Sequence, residues 1–389
     1  MKKIVGTIAA IALAASSAFA GVNVGMGFSR GFFTPIAYDG DAKVDISTSW
    51  GAQPRIGASI SAASDDCGVV ADIKFDGGNV AVNDNAYIWC KPASWLKFTI
   101  GQTFDDTLRG NACFGSWDWL RFGNIAGEDW TFTRVCANPL DGAYAPLIGT
   151  IVMLDPIEGL HISVGIPVVG WNAGKDNGWE LIDAKDPTKG MKKADAGAEE
   201  GYIACKWEDV GTKLQIQAGY TIANVMQIKA QWIGAGKAAD DSLKGQIEAA
   251  VALKAVEGMT LDVGAQFRTW KNAPIDVRAY WAMGFGSVNV NVMAGANIPT
   301  LDGDKISVVA GAGIGVDLGN GLGLDADVRF SQKFVDGAKS AIGFGVYLNK
   351  GIANGGLGIG FEGAANTAIR DFASKEFSIA VPVRVQCFF

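Results

Sequence analysis

The chain has 389 residues, 40 acidic and 33 basic side chains, a formal net charge of −7 and one histidine, a balance that offers no clustered positive surface to nucleic acid. Hydrophobic residues make up 49% and charged residues 19%, too apolar for a disordered tail and too polar for a helical membrane bundle. The 52 glycines against 11 prolines sit inside apolar stretches without a period of three, which excludes collagen and points to an all-β chain.

Residues 1–20 place Lys2 and Lys3 before an apolar run from Ile4 to Ala15 and a small-x-small site at Ala18-Phe19-Ala20. This predicts a secretory signal peptide, since the run is too short to span a bilayer core comfortably. Its removal takes the net charge from −7 to −9 with the loss of two lysines. Residues 21–389 are then read as one domain.

An exported chain meets an oxidising compartment, so the cysteines at 67, 90, 113, 136, 205 and 387 are disulfide candidates. A two-residue turn at Gly78-Asn79 would put Cys67 opposite Cys90 on one hairpin. Cys113 and Cys136 bracket an aromatic-rich stretch, where a bridge would restrict the unfolded chain. The alternative is free thiols packed as small apolar residues. Without a CxxC or a second histidine, a zinc site is disfavoured.

From residue 21 onward, period-two alternation runs in blocks of eight to twelve residues, the mark of half-buried strands. The apolar sets begin with Val22, Val24, Met26 and Phe28, then Leu96, Phe98 and Ile100. They continue through Ile216, Ala218, Tyr220 and Ile222, and Val288, Val290 and Val292, to Leu324, Ala326, Val328 and Phe330. Short turns at 155–159, 208–211, 256–258, 319–321 and 349–354 alternate with longer connections, of which 104–143 is the longest. A soluble sandwich would give about half as many strands. The pattern predicts a single transmembrane antiparallel up-and-down β-barrel with short periplasmic turns and long extracellular loops. The blocks number 19, and turn parity breaks between residues 199 and 254; about 18 strands, within roughly 16 to 20, is the even-numbered expectation.

Glycine recurs at every second position at 311, 313 and 315, at 343 and 345, and at 356, 358 and 360, opposite the apolar residues. That spacing lies within strands, not at the strand-to-helix turn a dinucleotide site needs. It predicts a bare stretch of inner wall against which another segment packs. His161 is the sole histidine, with Ser163 on the same strand face. No nucleophile elbow, paired-carboxylate motif or metal cluster accompanies it, so the chain is read as a non-enzyme that needs no cofactor.

The last strand alternates Phe377, Ile379, Val381, Val383, Val385, Cys387 and Phe389 and ends on that phenylalanine. Here the chain resembles the bacterial outer-membrane β-barrel proteins, whose final strand ends in an aromatic residue read by the barrel assembly machinery. Pro382 interrupts the pattern and predicts a bulge near the seam. If the apolar set faces lipid, the lumen wall includes Asp262, Arg268, Asp276, Arg278, Asp327, Arg329 and Arg384, charges of both signs suited to a water-filled channel. The excess of acid implies at most a mild cation preference.

General porins are similar in carrying one long loop, early in the barrel, that folds inward. The counterpart here is 104–143, with Trp117, Asp118, Trp119, Arg121, Asp129 and Arg134 as constriction residues. The alternative is a loop folded over the mouth with its own small core. The resemblance implies a porin in the outer membrane, passing small hydrophilic solutes, with trimers as the general-porin arrangement. A sugar-selective channel with a tryptophan stacking track, and a surface adhesin with a plugged lumen, are the alternatives.

Overall fold

The computed structural model describes residues 22–38, 41–47, 55–76, 79–103, 125–126, 147–172, 179–181, 191–193, 201–204, 207–237, 243–269, 275–298, 306–369 and 372–388. The barrel strands in chain order are β1 (Val22–Tyr38), β2 (Arg55–Ala63), β3 (Cys67–Asp76), β4 (Asn79–Ala93), β5 (Leu96–Thr103) and β6 (Leu147–Ile157). Then come β7 (Leu160–Asn172), β8 (Gln215–Ile222), β9 (Met226–Lys237), β10 (Leu243–Leu253), β11 (Met259–Arg268) and β12 (Ile275–Phe285). The circuit continues with β13 (Val288–Ile298), β14 (Ser307–Gly319), β15 (Leu322–Lys333), β16 (Ala341–Ile352), β17 (Gly355–Ala365) and β18 (Val383–Phe388).

Each strand pairs antiparallel with the next, and the first pairs on one edge with β2 and on the other with β18. Phe28 faces Phe388 and Phe33 faces Val383 across that seam. The eighteen strands therefore close on themselves, which leaves this sheet no free edge strand among the described residues, the condition for crossing hydrocarbon.

The extra block in the sequence count has a clear origin. Gly201–Ala204 pairs with the far end of β7, and Gln215–Ile222 pairs with its near end. Between them lies a 3-10 helix, Trp207–Thr212. Residues 208–211, read as a short turn, belong to that helix, and the two flanking pieces share one position in the wall.

Turns of two or three residues join β4 to β5, β6 to β7, β8 to β9, β12 to β13, β14 to β15 and β16 to β17, all at one end. Asn320 and Gly321 show why they can be so tight. Both have positive φ, 54° and 72°, the pair of values that a type I′ hairpin requires and that matches strand twist. At the other end the connections are longer, with the exception of residues 77–78 between β3 and β4. Two of these longer connections are tied together where Lys339 donates to Glu376 at 2.7 Å, a bond that holds the Glu376 carboxyl below its usual range.

The wall is inside out relative to a soluble protein. Val69, Ile88, Ile100, Val263, Val328, Val346, Ile359 and Val385 are exposed, whereas Gln217, Gln231, Glu248, Asp262, Arg329 and Glu362 are buried. Adjacent residues make the contrast plainest, with Val346 44% and Tyr347 0% exposed. Contiguous apolar surface of this extent is incompatible with water and matches a lipid-facing band. Among the described residues no helix is long and apolar enough to cross a membrane; the strands do the crossing.

Pro382 does not create a bulge. The registers on both sides run unbroken through it, from Phe33 opposite Val383 to Ile36 opposite Ala380, and from Ile359 opposite Val383 to Glu362 opposite Ala380. Only the ladder lapses at 381–382, because proline lacks the N–H. Its carbonyl still accepts from Gly360 N–H at 2.9 Å.

Candidate functional site: the inner wall

The inner face is organised in rows, because residues in register on successive strands stand about 4.5 to 5.5 Å apart. One row runs Ser163, Gln217, Gln231 and Glu248 across β7 to β10, and all four are buried. A second row holds His161, Gly219 and Lys229. His161 is therefore a wall residue on the row beside Ser163, and its Nδ1 lies 2.7 Å from Asp155 Oδ1. Its partner is a carboxylate next to the turn.

On the opposite side, β14 to β17 carry the glycine pattern, and here the sequence expectation needs correction. The wall is not bare, because large polar side chains lie along it. Asp327 stands in register between Gly313 and Gly345, and Arg329 between Gly311 and Gly343. Tyr347 stands beside Gly360. A Cβ at Gly345 would overlap the Tyr347 hydroxyl, and one at Gly360 would overlap its ring. The glycines thus make room for a ring lying flat over two strands. Its hydroxyl donates to Glu362 Oε1 at 3.1 Å, and Arg329 Nε approaches Asp327 Oδ1 at 3.6 Å. Both Tyr347 and Glu362 are fully buried, where a hydrogen bond contributes about 0.5–1.5 kcal/mol net.

Trp89 uses the same device near the turn end of β4. A Cβ at Gly68 would fall 2.6 Å from its Nε1, so the indole covers that glycine.

Of the charged residues expected on the wall, Asp262 and Arg329 are inward and buried, and Asp327 is inward and partly buried. Arg268, Asp276, Arg278 and Arg384 are placed by register only, opposite Gln246, Gln266, Gly264 and Gly358 respectively. Lys91, Lys97, Lys229, Tyr347 and Glu362 are wall residues the sequence reading did not single out. The alternation of Gln227, Lys229 and Gln231 with Ile228, Ala230 and Trp232 was the available signal for β9.

Cys67 does stand opposite Cys90, by a route different from the one expected. Asp76 pairs with Asn79, so residues 77–78 form the connection, and a register shift between Ala71 and Ile73 restores the pairing of the cysteines. Asp72 fills that irregularity, accepting from Ser59 Oγ at 2.7 Å and Asn85 Nδ2 at 3.0 Å. Both cysteines are exposed free thiols. Cys113, Cys136, Phe389, the segment 1–20 and the constriction residues Trp117, Asp118, Trp119, Arg121, Asp129 and Arg134 lie outside the described residues. From the long loop, Ile125–Ala126 is described. It pairs antiparallel with Ile369 and Ala368 and lies beside β16 and β17, across the barrel from β5 and β6, where the loop begins and ends.

The chain superimposes on solved barrels over nearly its whole length. An anion-selective porin from Comamonas acidovorans matches with a TM-score of 0.54 at 10% identity, covering 95% of this chain and 99% of that one. The fold is that of the bacterial outer-membrane porins. Pseudomonas aeruginosa OpdL matches with a TM-score of 0.52 at 11% identity over 95% and 99% of the two chains. Pseudomonas aeruginosa OccK5 (OpdH) gives 0.52 at 9% identity over 94% and 98%. No protein-family model and no curated sequence matches the chain.

Proposed function

We propose that this protein is an outer-membrane porin, a water-filled channel through which small hydrophilic solutes diffuse passively. The reading rests on one observation, the closed eighteen-strand cylinder whose outer face is apolar and whose inner face carries acids, bases and amides in rows. A lipid-facing exterior leaves water as the partner for such an interior. Passive flow needs no cofactor or nucleophile.

Residues 1–20 then act as the export signal, Phe389 ends the strand that the assembly machinery reads, and the barrels associate as trimers. The segment 104–143 is the constriction element, with Trp117, Asp118, Trp119, Arg121, Asp129 and Arg134 in the flow path. Pairing of Ile125–Ala126 across the barrel supports an inward course. The structural neighbour from Comamonas is anion-selective by name, whereas this chain has a net charge of −7, so the sign of its selectivity rests on local charges.

Planar-bilayer recording of the refolded mature chain tests the channel. Discrete ohmic steps that scale with salt are the expected result. Block by a saccharide would move the reading to a sugar-selective channel, and silence from heat-modifiable, folded protein would replace it with a plugged adhesin.

A further inference from the structure

Near the short-turn end, the inner wall of β4 to β9 forms a half-open hollow of about 370 Å³ lined by Lys91, Lys97, Asp155, His161, Gln227 and Lys229, among others. We propose that this hollow is an oxyanion site, which holds the carboxylate or phosphate of a small anionic solute. The proposal rests on the channel reading above and adds a ligand class to it.

Register brings these residues together from distant parts of the sequence. Lys97 faces Met153, Gly219 faces both His161 and Lys229, and Thr221 faces Gln227. Six successive strands thus present their inner side chains to one hollow. Gly219 keeps it open, since a Cβ there would come 3.2 Å from Lys229 Cγ and displace the lysine stem.

The charges in the hollow are three ammonium groups and one carboxylate. That carboxylate, Asp155, has its Oδ1 engaged by His161 Nδ1 at 2.7 Å, and one carboxylate leaves the three ammonium groups in excess. Lys91 and Lys97 each hold Nζ 5.4 Å from the centroid of the Trp89 ring. A ring face positions an ammonium without cancelling its charge or using up its N–H donors. Lys229 is buried, so its charge acts through a lower dielectric than that of a fully solvated lysine. Gln227 donates from Nε2 to Thr221 Oγ1 at 3.2 Å, which fixes its amide on the floor of the hollow. The sum is locally positive in a chain whose net charge is −7, so the overall charge balance does not account for it. Strong charge-assisted hydrogen bonds from lysine suit a point anion such as phosphate or carboxylate.

The test is calorimetric titration of the folded barrel in neutral detergent with inorganic phosphate and, separately, with succinate. Saturable binding of at least one anion is expected, weakened about tenfold in Lys91→Gln/Lys97→Gln. Those two side chains flank Trp89 at the turn end, and the heat-modifiable gel shift reports whether the variant folds; Lys97→Gln alone, expected to weaken binding about threefold, serves if the double variant does not fold. Binding of phosphate alone assigns the site to phosphate, and binding of succinate alone assigns it to carboxylates. Absence of saturable binding of either anion, or equal affinity in the lysine variants, overturns the proposal. Because calorimetry needs no conduction, a channel that conducts without binding sinks only this site. A folded barrel that binds without conducting sinks only the channel reading.

Discussion

Replacing Val346 with arginine is expected to stop stable membrane insertion, while Asn289→Lys on the inner face leaves it intact. Val346 lies at the middle of β16, and its side chain points away from the barrel. A charged side chain on the lipid face near the bilayer midplane costs about 2–4 kcal/mol, a large share of the stability of a typical fold. Asn289 holds an inner position in register with Gly315 and Gly284, where an added ammonium meets water and no neighbouring side chain in register. Folding into lipid vesicles at increasing urea, followed by the gel shift of unboiled samples, separates the two. Equal loss for both variants would mean that the faces have been assigned without physical basis.

The second large effect concerns the ring over the glycine wall. Tyr347→Ala is expected to cost about 3–5 kcal/mol, as for other buried aromatic truncations. Tyr347→Phe should cost only the bond to Glu362, about 0.5–1.5 kcal/mol. Gly360→Val fails for the opposite reason, because its side chain would occupy the space of the ring, and overpacking costs about 1–3 kcal/mol. Combined with Tyr347→Ala, however, Gly360→Val should cost less than the sum of the two. A coupling of about 0.5–3 kcal/mol in a double-mutant cycle is the signature of residues in contact. Additive costs would show that ring and glycine do not share space.

The outer face was legible in the sequence because lipid asks for one property only. Val346 and Leu348 alternate with Gly345 and Tyr347 regardless of what the inner residues do, and the same rule exposes Val328 between Asp327 and Arg329. Strand number was nearly legible. The parity break lay where expected, and the 3-10 helix Trp207–Thr212 explains it, since an insertion within one wall position reads as an additional turn.

The inner face was legible where polar residues alternate with apolar ones, as at Asp325, Asp327 and Arg329. In β9 Lys229 and Gln231 sit in a clean alternation with Ile228, Ala230 and Trp232, and the register shifts only beyond them, between Gly234 and Lys237, so the signal was present there and was passed over. The lysine hollow escaped for a different reason, because it forms from β4, β5 and β9, whose proximity is a property of the closed circuit and of no local pattern. The occupant of the glycine wall was likewise not legible. Glycine spacing announces a close approach without naming the neighbour, which at Gly345 and Gly360 is the Tyr347 ring.

Everything rests on closure between the first and last strands. Ser29 faces Cys387 across the seam, so Ser29→Cys in a chain with Cys67, Cys90, Cys113, Cys136 and Cys205 changed to serine places two thiols opposite each other on an antiparallel pair, within disulfide reach. Oxidation of the folded, membrane-inserted protein should join the N-terminal and C-terminal peptides within one chain, as read by protease digestion and mass spectrometry. Failure of that bond to form in folded protein, or its formation only between separate chains, would contradict the closed barrel.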